Sequence, residues 1–477
     1  MTGLLLGAGA SYELGMPLVW DVTNELKRWL TPNKLRMFNQ AWRSNGTGYT
    51  DEVISDLIIA LENPSLHYES ILGYLETQFI GSSPRRSDYH ALYSWLIEAV
   101  YVILQERHTR NLGYIQKNIH FFDGFQSLVS PSSPLWIFSL NHDLIVECLA
   151  SHYGIPLSAG FSAQKVSFPK RNKMGKKIGE LKGEVLLGEH LENSAMSFFE
   201  SSKSGINLLK IHGSLDVFTF RDGKDLLRII PTENSVGAWI ECLRAANEEL
   251  IYVEPSLPGG KVKATNEIAF ADKNGEMQFL RRTLLSGAYK FDRRTSQVLP
   301  TKLLDHFKWN LNSVSTLICA GYGFGDHHIN EVIHDWLRFS PSRKLEIIDP
   351  FLKDIPPKFL HLSTQVSLHT MAFTDYLDGR ARIQRTRRET LEKGLAAWGR
   401  RNQFDPEKKQ KFETFVKSFL DKKLQSLVKD IAGLPVKSGD IDVQSIGLTP
   451  DELVKDVLSK NNLNMDDMIE QFLKKYK

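Results

Sequence analysis

Cysteine is scarce in this chain. Its 477 residues include three, Cys148, Cys242 and Cys319, far apart and without a Cys-x-x-Cys pair. Neither a disulfide framework nor a four-cysteine zinc site can be built from them, and they read as small buried hydrophobes. Long apolar runs are missing as well: no stretch approaches the roughly 20 residues of a membrane span. The opening MTGLLLGAGA has no basic residues ahead of its apolar part, so no secretory leader is expected and the cytoplasm is the expected compartment. Nor is there an excess of one charge. The 59 basic and 56 acidic residues leave a net +3, too balanced to imply nucleic acid. What is present, 42% hydrophobic and 10% aromatic residues, suits a large core divided among two or three units.

The stretch LLLGAGASYELGMP (4–17) places Gly7, Ala8 and Gly9 straight after an apolar run. Leu4, Leu5 and Leu6 read as a buried strand, the glycines as a sharp turn, and Leu18, Val22, Leu26, Trp29 and Leu30 as the buried stripe of a helix opened by Pro17. Strand, glycine turn and helix together aim backbone N–H groups at an anion, as for a nucleotide pyrophosphate. The dehydrogenase fingerprint G-x-G-x-x-G needs glycine where Tyr12 stands, which disfavours an ordinary Rossmann oxidoreductase. A turn that serves only the fold is the other reading.

Further apolar strands end in small or polar residues. LWIFSLNHD (135–143) brings Asn141 and Asp143 to a strand end, INLLKIHGSLD (206–216) brings His212, and TLICAGYGFGDHHINEVIHDWL (316–337) brings a second glycine turn at Gly321, Gly323 and Gly325 before a helix. KLEIIDP (344–350) ends in Asp349. In a parallel α/β sheet such ends share one edge, where ligands bind. Asn141 can donate and accept, which suits holding a water beside a sugar hydroxyl. His212, with an ordinary pKa near 6.5, can take a proton. The structural alternatives are a core histidine bonded to backbone and an asparagine that caps the next helix. Asp326, His327, His328, His334 and Asp335 lack H-E-x-x-H spacing and read as a polar helix start, so no metal is expected.

In this order, GAGAS with GMP, Asn-x-Asp, KIHG and a late glycine turn, the chain resembles the sirtuin family over residues 1–370, discontinuously. The resemblance implies that Ala8 and Gly9 hold the pyrophosphate of NAD, with Gly7, Ser11, Pro17, Gly321 and Tyr322 completing the binding set and Asp349 taking an adenosine ribose hydroxyl. It implies that Asn141, with Asp143, orders ribose or water and that His212 is the catalytic base. The zinc ribbon of the protein deacylases has no counterpart. Leu18, Val19 and Trp20 stand where those enzymes carry Asp, Phe and Arg, and Leu140 stands for their glutamine. These departures look like the sirtuin-like NAD hydrolases of bacterial anti-phage systems, although His142 replaces an aromatic common there. That likeness implies hydrolysis of NAD, as substrate, to ADP-ribose and nicotinamide, without zinc, by a chain kept inactive until triggered. It also implies a homo-oligomer or a partner such as an ATP-dependent DNA translocase or helicase of the HerA type, and no membrane. A protein lysine deacylase and a catalytically silent nucleotide-binding subunit are the alternatives.

The fold expected is α/β, a Rossmann-like parallel sheet (1–370) with an inserted helical module (51–129), a basic, loop-like stretch (155–205) and a C-terminal helical extension (371–477). Lys165, Lys170, Arg171, Lys173, Lys176, Lys177 and Lys182 crowd that basic stretch, read first as a surface loop and second as a nucleic-acid contact. In the extension, Phe412, Phe415, Phe419, Leu424, Leu427, Leu453, Val457, Met465, Ile469 and Phe472 recur at helical spacing and suggest an oligomerisation or docking surface.

Overall fold

The computed structural model describes the chain except residues 82, 163, 222, 254–264, 288–289, 291–298, 433–464 and 477. Its strands are β1 (Thr2–Leu6), β2 (Pro134–Ser139), β3 (Leu157–Ser158), β4 (Lys165–Arg171), β5 (Lys177–Leu186), β6 (Gly205–Lys210), β7 (Val217–Phe220), β8 (Asp225–Ile230), β9 (Glu267–Ala271), β10 (Met277–Arg282), β11 (Thr316–Ala320), β12 (Lys344–Ile348) and β13 (Val366–His369). Seven of them form a parallel sheet in the order β13-β12-β11-β1-β2-β6-β3. This is the α/β, Rossmann-like architecture with helical additions.

The central strand β1 is buried from Gly3 to Leu6 because both faces of the sheet are covered. Leu4 and Leu6 point into a core shared with the inserted helices, while Leu5 points into a second core with Phe138, Phe307 and Ile333, the alternation a strand imposes. The register pairs Leu6 with both Ser139 and Ala320, Ser139 with Lys210, and Ala320 with Ile348. Five strand ends are thereby level along one edge. The helical module lies between β1 and β2; its helices Asp51–Glu62, Tyr68–Ile80 and Arg86–Arg110 bury Leu57, Leu72 and Leu96.

A second sheet was not legible as such. Six antiparallel strands run in the order β4-β5-β8-β7-β10-β9, with Phe168, Val185, Phe218, Leu227 and Leu280 packed beside Cys242 of the helix Val236–Glu248. The lysine-rich part of the stretch expected to be loop-like, Lys165 to Lys182, lies in the β4–β5 hairpin. Val166 and Phe168 in β4 and Leu181 and Val185 in β5 turn inward, Lys165 and Lys182 fall on the other positions, and Lys170 pairs with Glu249 at 2.6 Å. The turn is made by Asn172, whose Oδ1 accepts the N–H groups of Met174 and Lys176 at 3.0 Å, and by Gly175 at φ +78°.

The two sheets meet at a buried ion network. Glu147 accepts from Lys210 of β6 and from Arg228 of β8, both at 3.0 Å, and Arg228 Nε donates to Asp216 at 2.9 Å. All four side chains are buried.

The chain divides into two compact units, Met1–Arg382 and Ile383–Lys477. The first extends past the expected 370 because Phe373, Tyr376 and Leu377 of the helix Phe373–Ala381 are buried in its core. In the second, Thr386 and Glu389 cap the helix Arg387–Arg401 reciprocally, a capping box. There Phe472 packs on Trp398, Phe412, Phe415 and Tyr476, so part of the apolar stripe read as a docking surface closes on itself. Leu453 and Val457, and the side chains of Leu424, Leu427 and Met465, lie outside the described residues. Among the described residues, no helix is long and apolar enough to cross a membrane.

One histidine of the core bears on stability. His108 is fully buried, its Nε2 accepts the Leu144 N–H at 3.1 Å, and burial holds its pKa down to about 3. The unfolded chain protonates this group near pH 6.5, the folded chain only near pH 3. Its contribution is complete above pH 6.5 and is lost as the pH falls. At pH 5 the loss is about 2 kcal/mol. Urea midpoints for the wild type should therefore drop steeply from pH 7 to 5, and His108→Gln should flatten that slope; a slope unaffected by the substitution would contradict the assignment.

Candidate active site

The two glycine turns are packed backbone against backbone. Gly7 N–H donates to the Ala320 carbonyl and Gly9 N–H to the Gly321 carbonyl, each at 3.0 Å. A Cβ on Gly7 would stand 2.5 Å from the Gly321 oxygen, and one on Gly9 would stand 2.7 Å from the Gly321 Cα. At Gly321, φ is +62° and a Cβ would stand 2.2 Å from the Ala10 nitrogen. Each glycine is required by the other turn. Asn141 fastens this seam to β2: its Nδ2 donates to the Gly7 carbonyl at 2.9 Å and to Ser11 Oγ at 3.1 Å.

Beside the seam, at the level strand ends, lies a cavity of about 1100 Å³, at the upper end for small-molecule sites. Of the residues read as a site, Gly7, Ala8, Pro17, Asn141, Asp143, His212, Gly321 and Tyr322 line it. Gly9 and Ser11 are not among the lining residues and act as its support. Asp349 does not line it either; its carboxylate accepts the N–H groups of Phe351 at 2.7 Å and Leu352 at 3.0 Å in its own turn.

The opposite wall escaped the sequence reading. Trp20, 46% exposed, stands edge-on to His67, and His67, Tyr68, Glu69 and Ser70 at the start of an inserted helix line the cavity with Lys290, Asp326 and His328. The expected helix start at Asp326 is correct, since the helix is His327–Phe339, but its first turn faces the cavity. Lys290 has no periodic neighbours to announce it.

Lys290 is buried and donates to Glu69 at 2.8 Å and Asp326 at 3.0 Å. Burial works against its charge, and the two carboxylates outweigh it and raise the pKa. His212 is 2% exposed, with Nε2 3.1 Å from Nε2 of His328. Burial first, then Lys290 and His328, push its pKa well below the ordinary value, so it is neutral at pH 7 with margin, not poised near 6.5 as its residue type alone suggests. Burial likewise draws His328 down to about 4, against the pull of Asp326. Asp143 is raised by burial, opposed by Lys210 and by hydrogen bonds from the Ile145 N–H and Ser11. His212, Asp326 and His328 hold potential ligand atoms within 4.8 Å of one another, a set that could take a metal ion. The Lys290 ammonium beside Asp326 opposes a second cation there.

Fold and site together define an α/β protein with a Rossmann-like sheet and a polar cavity at its carboxyl edge. No family model matches the chain, and no curated protein matches it.

Proposed function

We propose that the chain hydrolyses NAD at the bond between nicotinamide and ribose, giving ADP-ribose and nicotinamide. The observation that carries this reading is the convergence, on one cavity, of a glycine seam, Asn141 bonded to that seam, and a neutral buried histidine. Backbone at the seam suits close approach of a pyrophosphate. As the bond to nicotinamide breaks, its electron pair leaves with the ring and the sugar becomes oxocarbenium-like. Glu69, Asp143 and Asp326 give the cavity the negative charge such a centre needs. With both protons of its Nδ2 used by Gly7 and Ser11, Asn141 offers Oδ1 as an acceptor for the attacking water or a ribose hydroxyl. The imidazole of His212 takes the proton.

The deacylase alternative is disfavoured because Cys148, Cys242 and Cys319 are buried in different elements and cannot gather on one zinc. A silent binding subunit needs neither Asn141 nor His212. The direct test is nicotinamide release from NAD by the full chain, alone and with the product of the neighbouring gene; no release in either case would remove the hydrolase reading.

Draining NAD fits a cytoplasmic effector of anti-phage defence, held inactive until a partner, such as a DNA translocase, or a change of assembly triggers it. The Ile383–Lys477 unit is the element for such assembly in this reading. Truncation after residue 402 should change the oligomeric state in light scattering and disturb activation, whereas an unchanged mass and response would return this unit to ordinary packing.

A further inference from the structure

The His212–His328 contact was not foreseen, and the hydrolase reading above does not require it. The ring centroids are 5.3 Å apart at 51°, so the imidazoles meet edge to edge through Nε2 rather than by stacking. Both rings have rigid supports. His212 lies just beyond β6, where the Leu285 N–H donates to its carbonyl at 3.0 Å. It is followed by Gly213 at φ +84°, a position where a Cβ would lie 2.0 Å from the Thr283 carbonyl oxygen. His328 is in the first turn of a 13-residue helix. That turn is fixed by Tyr322, whose hydroxyl donates to the Asp326 carbonyl at 3.0 Å, and by Asn330, whose Nδ2 donates to the Phe324 carbonyl at 2.8 Å.

The charges around the pair are unequal. Lys290 and His142 act on His212 and disfavour its protonated form. At His328 burial is the larger effect and disfavours the proton; Asp326 opposes it, against Lys290 and His327. Glu69 is turned to Lys290, and Glu331, on the His328 helix, pairs with His327 at 3.2 Å. His328 is also the less buried ring.

We infer that His328 is the positioning partner of His212 and relays its proton outward. In this step, which rests on the hydrolase reading, water oxygen bonds to the ribose carbon as the bond to nicotinamide breaks. The water proton enters the imidazole pair and crosses to His328, beside Asp326, from which it passes to solvent. A single buried imidazole next to Lys290 would have to keep that charge itself.

The test uses the full chain under conditions in which the wild type releases nicotinamide, with His328→Gln and His328→Ala. Calorimetric NAD affinity should stay within about twofold, while kcat falls roughly 100-fold, the low end of what a proton-transfer group contributes. The acid limb of the kcat profile should move by a pH unit or more in His328→Gln, and added imidazole should restore part of the His328→Ala rate. A purely structural role would lower the rate equally at all pH, with no rescue, and would overturn the inference. So would wild-type kcat in both variants, or one tightly bound divalent metal per chain that is lost in both. Failure of the wild type to release nicotinamide overturns the hydrolase reading and this inference together; release by the wild type with unaltered variants overturns the inference alone.

Discussion

His212→Ala should lower NAD cleavage by about 10²- to 10⁴-fold, the range for a lost general base, and leave the fold standing. The ring is buried, but its Nε2 meets that of His328, itself at the cavity. Asn141→Ala should be as damaging to turnover and costlier to stability. Its Nδ2 supplies a hydrogen to the Gly7 carbonyl and another to Ser11, and both acceptors lose it. Leaving a buried acceptor unmet costs about 1–3 kcal/mol. Nicotinamide release and thermal melting, measured on the same preparations, separate the two effects. Near-native turnover in either variant would remove the assigned role, and equal melting of Asn141→Ala and wild type would remove the seam-fastening role of Asn141.

Arg228→Ala should be strongly destabilising. Arg228 and Lys210 face Asp216 and Glu147, two positive and two negative groups away from water, and Arg228 also lies 4.9 Å over the ring of Trp239. Without the guanidinium, two buried carboxylates share one ammonium. Breaking a buried pair in this way costs about 3–5 kcal/mol. Arg228→Lys keeps the charge but cannot bridge two carboxylates, and should lose less than alanine but more than half of it. Since the groups share partners, Arg228→Ala with Asp216→Asn should fall short of the sum of the singles. Urea unfolding measures all of these, and an additive double variant would mean that the network is not one unit.

What could be read from sequence follows from burial. Strands covered on both faces appear as unbroken apolar runs, and their ends at Gly7, Asn141, His212 and Gly321 stood out because polar or small residues interrupt them. The antiparallel sheet was hidden by its lysines: β4 and β5 bury few residues, and Phe168, Leu181 and Val185 alternate with charge. The far wall of the cavity was illegible for another reason. Glu69, Lys290 and His328 are joined by tertiary contacts across some 260 positions, and no local pattern records such a meeting. Gly9, Ser11 and Asp349 were assigned by analogy of position; two of them support the turn and the third closes its own.

The seam between the glycine turns also decides where this protein can breathe. Separating β1 from β11 at that point means breaking the Gly9 bond to Gly321 and the Gly7 bond to Ala320 in a space that admits no side chain. That half of the cavity is a fixed jaw. The other half includes the side chains of Trp20 and His67, edge-on to each other, and of Glu69, which Lys290 ties to Asp326. Any widening that admits a ligand is therefore a motion of this wall against a fixed sheet edge, opposed by the ion pairs of Lys290 and by the core that the inserted helices share with Leu4 and Leu6.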